Sequence, residues 1–282
     1  MKVLPFIIPR PTHENLIYDY FAGEAFYDKL HSHTEFQISY IESGEGTLVL
    51  GDSMESFQAH DIFILGSNLP HVFRSDTDLP MPSVMHTLFF SEEIMNSILS
   101  EFSATDSLHG FISQLGFGIK YQDQDLKIFE LIQNLKKSNK LELLIHFLSI
   151  LNLVSKANFQ TIANAKFSKI FNDNQGKRLS NVFDFVMNNF QKDIKLEDVA
   201  NLAFMTKEAF CRYFKQKTNK TFLEFLIELR IEHACKLLVR NSESTIAEIA
   251  ERSGFQNISN FNRTFKTKKN CLPSEFRRIR KF

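Results

Sequence analysis

Three cysteines stand among 282 residues. Cys211, Cys235 and Cys271 all fall in the C-terminal half, and none has CxxC spacing. So sparse and odd a count argues against a disulfide framework or a zinc site of that kind, and it fits a reducing cytosol. Long apolar runs are missing too. The longest, over residues 141–154, is interrupted by His146, Ser149 and Asn152 and is too short to span a bilayer. The first eleven residues hold Pro5, Pro9 and Pro11 and too short an apolar stretch for a signal peptide. A cytoplasmic chain without a membrane partner is expected. No Ser-His-Asp set, P-loop or dinucleotide fingerprint appears in a fitting context, so catalysis is not expected and no cofactor is assigned.

Net charge is absent as well, with 33 basic against 33 acidic residues. The balance hides an asymmetry. From Gly176 onward, 21 Lys and Arg face 12 Asp and Glu, a surplus of nine; the preceding residues carry the matching acidic excess. A basic module joined to an acidic one suits a nucleic-acid-binding part and a part with another task. With 43% hydrophobic and 23% charged residues, the chain is long enough for two folded domains with cores of their own.

Within the basic half, residues 206–217 read as a short amphipathic helix. Thr206 is suited to cap it. Phe210, Tyr213 and Phe214 share one face, while Lys207, Glu208, Cys211, Arg212 and Lys215 fall on the other. A second short helix precedes it over 196–203, with Leu196, Val199, Ala200 and Ala203 on one side. Helix, tight turn and capped helix is the helix-turn-helix plan, whose second helix can lie in a major groove. The pattern then returns. Asp198-Val199-Ala200 matches Glu248-Ile249-Ala250 fifty positions on, and Phe210, Arg212, Phe214 and Lys215 match Phe261, Arg263, Phe265 and Lys266 fifty-one on. One unit is used twice.

These residues carry a family resemblance. Thr245-Ile246-Ala247-Glu248-Ile249-Ala250, Ser253-Gly254-Phe255, Phe261-Asn262-Arg263-Thr264-Phe265-Lys266 and Pro273-Ser274-Glu275-Phe276-Arg277 closely resemble the second half of the AraC/XylS-type DNA-binding domain. The first unit and the joining segment from Leu229 to Leu238 fit its first half. Two glycines usual in that domain are replaced, by Asn219 and Asn270, residues that also tolerate positive φ. The resemblance implies a bacterial, effector-responsive transcription regulator, mostly an activator, with a duplex operator or promoter and RNA polymerase as partners. Base edges are expected to meet Lys207, Glu208, Cys211 and Arg212 in the first unit and Ile258, Ser259, Asn260 and Arg263 in the second. Lys215 and Lys266, with Lys217, Lys220, Lys268 and Lys269, are expected at phosphates. Phe210, Phe214, Phe261 and Phe265 are assigned to the core.

The acidic half has β texture over residues 17–90. Phe36-Gln37-Ile38-Ser39-Tyr40-Ile41 alternates, and Gly- and Asp-bearing turns separate further short strands, which indicates a sandwich or barrel. His31-Ser32-His33, Gln37, Gly44, Gly46, Asp61 and Pro70-His71 resemble the cupin barrel, a sensor found in many proteins with this DNA-binding domain. In metal cupins an H-x-H pair, a carboxylate and a distant His hold an ion. Here the matching positions are His31, His33, Gln37 and His71, with a carboxamide where a carboxylate is usual. Three readings are open: a metal at His31, His33 and His71; histidines hydrogen-bonded within the barrel; or a polar pocket for a small effector such as a sugar or other metabolite, formed by His33, Gln37, His71 and Arg74. The last is preferred, with no metal assigned. A metal cupin enzyme with a helical appendage stands as the rival class.

Helices are expected over 92–102, 125–137 and 141–155. The last is apolar on most sides and must be buried against something; the resemblance implies a homodimer contact there, with packing onto the barrel as the alternative. The expected fold class is α+β in two domains. A cupin-like barrel with trailing helices occupies residues 1–158, the linker residues 159–177, and an all-α domain with two helix-turn-helix units residues 178–282.

Overall fold

The computed structural model describes residues 6–8, 14–77, 81–101, 106–123, 126–164, 172–241 and 243–279. The chain divides into two compact units, Met1–Gly176 and Lys177–Phe282.

The first unit is built from period-two strands. In chain order these are β1 (Leu16–Gly23), β2 (Phe36–Ser43), β3 (Gly46–Leu50), β4 (Ser53–Phe57), β5 (Ile62–Leu65), β6 (His71–Ser75) and β7 (Ser83–Phe90). Helices α1 (Glu92–Glu101) and α2 (Asp106–Gln114) follow, then β8 (Ile119–Tyr121), α3 (Leu126–Asn134), α4 (Lys140–Val154) and β9 (Phe159–Thr161). One sheet has the order β1-β7-β2-β5-β8-β9, the other β4-β3-β6. Strand β2 lies centrally, antiparallel to both β7 and β5.

Both faces of the large sheet are buried along its central strands β2, β5 and β7, and alternation divides them. Ile41, Phe63, Leu65 and Met85 join Leu48, Leu50, Phe57 and Phe73 in a core with the small sheet. Ile38, Tyr40, Ile62, Ile64, Leu88 and Phe90 face the other way, onto Phe147, Ile150, Leu151 and Val154 of α4 and onto Met95, Phe111 and Ile128. Helix α4 is therefore a packing helix on one side. Its capping box, Asn139 with Glu142, fixes its start. On its other side Leu141, Ile145 and Leu148 are 67%, 53% and 39% exposed, spaced as a stripe along the helix.

The segment expected as a linker contains ordered elements. Strand β9 extends the large sheet through β8, and helix α5 (Asp173–Asn189) takes in the polar residues before Gly176. Asn172, read as part of a linker, caps α5 by accepting from the Gln175 N–H. The rest of that segment, 165–171, lies outside the described residues, as do Phe102 and Asp125 at the ends of two expected helices.

The second unit is helical: the rest of α5, then α6 (Leu196–Leu202), α7 (Lys207–Thr218), α8 (Phe222–Arg240), α9 (Ile246–Arg252), α10 (Ile258–Lys269) and α11 (Pro273–Ile279). Phenylalanine forms its cores. Phe183, Phe210, Phe214, Phe222 and Phe225 meet with ring centroids 4.6–6.1 Å apart. Around the second helix-turn-helix, Phe255, Phe261, Phe265 and Phe276 repeat the arrangement at 5.1–5.6 Å. Phe210, Phe214, Phe261 and Phe265 are fully buried, as the amphipathic pattern requires. Each contributes roughly 1.5–3 kcal/mol by burial alone. Helix α8 joins the repeats. It starts at a Thr221–Glu224 capping box, and Arg230 on it donates to the Phe190 and Lys192 carbonyls at the end of α5.

Candidate nucleic-acid interface and sensor cluster

The two turns of the second unit are built alike. Phe204 N–H donates to the Asn201 carbonyl and Met205 N–H to that of Ala200; Gly254 and Phe255 make the same bonds to Glu251 and Ala250. The residue at the bend has positive φ in both, +56° at Phe204 and +84° at Gly254. After the bend, the second copy carries one more residue, Gln256, before its cap. This accounts for the step in the repeat from fifty to fifty-one.

Helices α7 and α10 each then begin on a capped, fixed N-terminus. Thr206 Oγ1 accepts from the Ala209 N–H, and Asn257 Oδ1 accepts from Ser259 and Asn260. Each ends on an asparagine at φ near +58°, Asn219 and Asn270, in the left-handed conformation where a glycine is usual.

With the phenylalanines anchoring the back, the front of each helix faces outward. Lys207, Glu208, Cys211, Arg212 and Lys215 on α7 are exposed, and so are Ile258, Ser259, Asn260, Arg263 and Lys266 on α10. The structure brings all ten expected residues onto these two faces, with Arg212 and Lys215 at the places of Arg263 and Lys266. Some side chains are already aligned. Asn260 Oδ1 accepts from Arg263 Nη2 at 3.1 Å, which holds an amide and a guanidinium side by side. Lys207 reaches Glu197 at 2.6 Å, an exposed pair that raises the lysine's pKa and lowers the carboxylate's, chiefly through their hydrogen bond. The Glu208 carboxyl is also held below its ordinary range, by main-chain hydrogen bonding and by Thr206.

Three lysines expected at phosphates are engaged elsewhere. Lys220 and Lys268 both pair with Glu228, and Lys269 pairs with Glu232 at 2.5 Å. They tie the ends of α7 and α10 to the acidic side of α8, which the periodicity of those two helices alone could not reveal.

In the first unit, three of the four residues expected in the polar pocket, His33, Gln37 and His71, gather inside the barrel. His33 and His71 are 1% exposed and Gln37 4%. His31 and His71 exchange both main-chain hydrogen bonds as a β-bridge, which sets their side chains on one face. The ring centroids of His31, His33 and His71 lie 4.4–6.2 Å apart. His33 Nε2 is 2.9 Å from Gln37 Oε1, and Gln37 Nε2 donates to Ser39 Oγ at 2.6 Å. Ser39 in turn meets Thr87, its partner across β2 and β7.

Arg74 departs from the expected pocket. It stands an odd number of residues from His71 on β6, so alternation turns it to the opposite face from His71 and Phe73. Ser39 and Thr87 take the place expected of it. Their signal was present in the alternation of β2, but pairing with β7 was needed to complete it.

A sheet-rich unit with a polar cluster at its centre, joined in one chain to a helical unit with duplicated, outward-facing basic helices, defines a DNA-binding regulator with a sensor module. Residues 13–151 match the family described as the AraC-like ligand binding domain, and residues 199–279 match a helix-turn-helix domain family. The chain belongs to the AraC family of DNA-binding transcription regulators.

Among its relatives is the lactose operon transcription activator of Staphylococcus xylosus, 27% identical, over 88% of this chain and 86% of that one. The transcriptional activator RhaR of Mannheimia succiniciproducens is 25% identical over the same shares of the two chains. Among solved structures, the DNA-binding domain of AdpA in complex with a target DNA matches 36% of this chain and 91% of its own, with 25% identity and a TM-score of 0.34. No helix among the described residues is long and apolar enough to cross a membrane.

Proposed function

We propose that this chain is a cytoplasmic transcription activator that reads promoter DNA with α7 and α10 together, in answer to a small metabolite held by its sensor unit. The observation that carries the reading is the equivalence of the two exposed helix faces, each backed by buried phenylalanines and each bearing an arginine and a lysine at matching positions. Successive major grooves on one side of a duplex are about 34 Å apart, and a duplicated unit suits two half-sites at that spacing.

Arg212 and Arg263 fork onto guanine O6 and N7, Asn260 reads adenine, and Glu208 accepts from cytosine N4. Lys207, Cys211, Ile258 and Ser259 complete the base-edge surface. Lys215 and Lys266 contact phosphates. Relatives named as activators support activation, and the lactose operon activator supports a sugar-like effector. RNA polymerase is then the third partner.

The exposed stripe Leu141, Ile145 and Leu148 on α4 supports a homodimer, since apolar side chains at this spacing gain by meeting a second copy. The chain acts by binding, with no catalytic step of its own.

The test is gel-shift titration on promoter fragments upstream of sugar-utilisation genes, with and without a sugar panel. Tight, sugar-dependent retention on one fragment is expected. Retention that no metabolite alters would refute the effector role, and absence of retention on every duplex would refute the DNA role.

A further inference from the structure

The three barrel histidines bring their ring nitrogens together. A ring nitrogen from each of His31, His33 and His71 lies within 4.8 Å of the other two. Their orientation is fixed from behind. Nδ1 of His31 faces the Lys29 carbonyl at 2.8 Å, Nδ1 of His33 the Glu35 carbonyl at 2.9 Å, and Nδ1 of His71 the Leu69 carbonyl at 2.8 Å. A carbonyl only accepts, so each Nδ1 carries the proton. In the neutral rings the lone pair therefore sits on Nε2. This second-sphere pattern sets imidazole tautomers for metal binding.

Two further observations point to a cation. His33 Nε2 confronts Gln37 Oε1 at 2.9 Å, although the Gln37 amide nitrogen is committed to Ser39. A lone pair facing a carbonyl oxygen at that distance is repulsive unless a proton or a metal ion lies between them. Two donors each about 2.1 Å from a common ion, at a right angle, stand about 3.0 Å apart. Beside the cluster, Glu35 Oε2 is buried without a hydrogen-bond partner among the described residues, 3.8 Å from His33 Nδ1. A buried, unsatisfied carboxylate oxygen is costly unless positive charge is near.

We propose that the sensor unit binds one divalent first-row transition ion through His31, His33 and His71, with the Gln37 carboxamide oxygen as a weaker fourth ligand and Glu35 balancing charge from behind His33. Imidazole donors select ions such as Zn2+, Ni2+ or Fe2+ over Mg2+ or Ca2+. Because His31 is only half-buried, the ion is approached from that side. There it can offer remaining positions to oxygen atoms of an effector. That consequence rests on the reading of this cluster as the effector site; the ion site itself does not.

The test uses the full chain without a histidine tag, stripped with chelator and dialysed against Zn2+. About one equivalent per chain is expected, with an X-ray absorption first shell of nitrogen and oxygen at about 2.0–2.1 Å. His31→Ala and His71→Ala abolish uptake, while the exposed His109→Ala leaves it intact. Circular dichroism checks that each variant is folded. Glu35→Gln weakens binding about tenfold or more, and Gln37→Glu tightens it.

Failure of the wild-type chain to take up Zn2+, Ni2+ or Fe2+ would overturn the proposal, whatever the variants do. It would mean that a proton bridges the pair, either on His33 Nε2 or from a turned Gln37 amide whose NH2 donates to His33. Uptake that persists in a folded His71→Ala chain would overturn it equally. Neither result touches the sugar-dependent gel shift, so failure of the ion site and failure of the effector reading are distinguishable.

Discussion

Replacing Phe204 by glycine should stabilise the DNA-binding unit. Phe204 occupies the bend between α6 and α7 at φ +56°, a conformation that costs an L-residue with a bulky side chain roughly 1–2 kcal/mol. Little offsets that strain, because the side chain is 83% exposed. The burial lost on deleting it is a small part of the roughly 1.5–3 kcal/mol of a fully buried Phe. Glycine brings greater freedom in the unfolded chain, which returns about 0.5–1 kcal/mol.

The net expectation for Phe204→Gly is a gain of up to about 1 kcal/mol. In a unit of this size that corresponds to a rise in melting temperature of up to about 4–8 °C. The second copy supplies the control. Gly254 has φ +84°, and a Cβ there would stand 2.7 Å from the Phe190 carbonyl oxygen and 2.8 Å from Arg230 Nε. Gly254→Ala should therefore cost about 2 kcal/mol or more, since strain and a main-chain clash act together. Differential scanning calorimetry of the full chain, following the transition of the helical unit, measures both. A lower melting temperature for Phe204→Gly would show that contacts of the Phe204 ring outweigh the strain of its positive φ.

Other expectations follow from the same geometry. Arg263→Ala should weaken binding to a selected site by about 1–3 kcal/mol and relax one base preference, checked by titration against the site and its single-base variants. Lys215→Ala and Lys266→Ala should each reduce the slope of log affinity against log salt by about one, whereas Lys268→Ala, whose ammonium is held by Glu228, should change it less. Ile145→Glu on α4 should convert a dimer to a monomer in sedimentation equilibrium without unfolding the chain. Tyr213 has its pKa raised to about 12 by burial, so folding keeps the phenol neutral. The unfolded chain ionises it from about pH 10. Its stabilising contribution is whole below that pH and is lost as pH rises from about 10 to 12. Tyr213→Phe should remove this part of the alkaline destabilisation in denaturant titrations.

The helical unit was legible because its signals are local. Thr206, Thr221 and Thr245 mark helix starts, and phenylalanines four apart mark the buried faces. The internal repeat then placed Arg212 and Arg263 on equivalent exposed surfaces. What stayed hidden depends on partners distant in sequence. Lys220 and Lys268 could not be known as ion-paired until α8 brought Glu228 between them.

In the sheet-rich unit, the strands with strong alternation were visible, while β8 and β9 are three residues each and exist through pairing with neighbours. His31, His33 and His71 were recognisable from spacing and resemblance. Arg74 was misplaced because parity along β6 puts it opposite His71, and that parity counts only once His71–Ser75 is known to be one regular strand.

Selection of bound sites from a random duplex pool with the full chain, repeated for Arg212→Ala and Arg263→Ala, separates two DNA-contacting helices from one. Two blocks of base preference are expected, with centres about 10–10.5 base pairs apart, the first relaxed by Arg212→Ala and the second by Arg263→Ala. A single block, or two blocks that neither substitution alters, would contradict it.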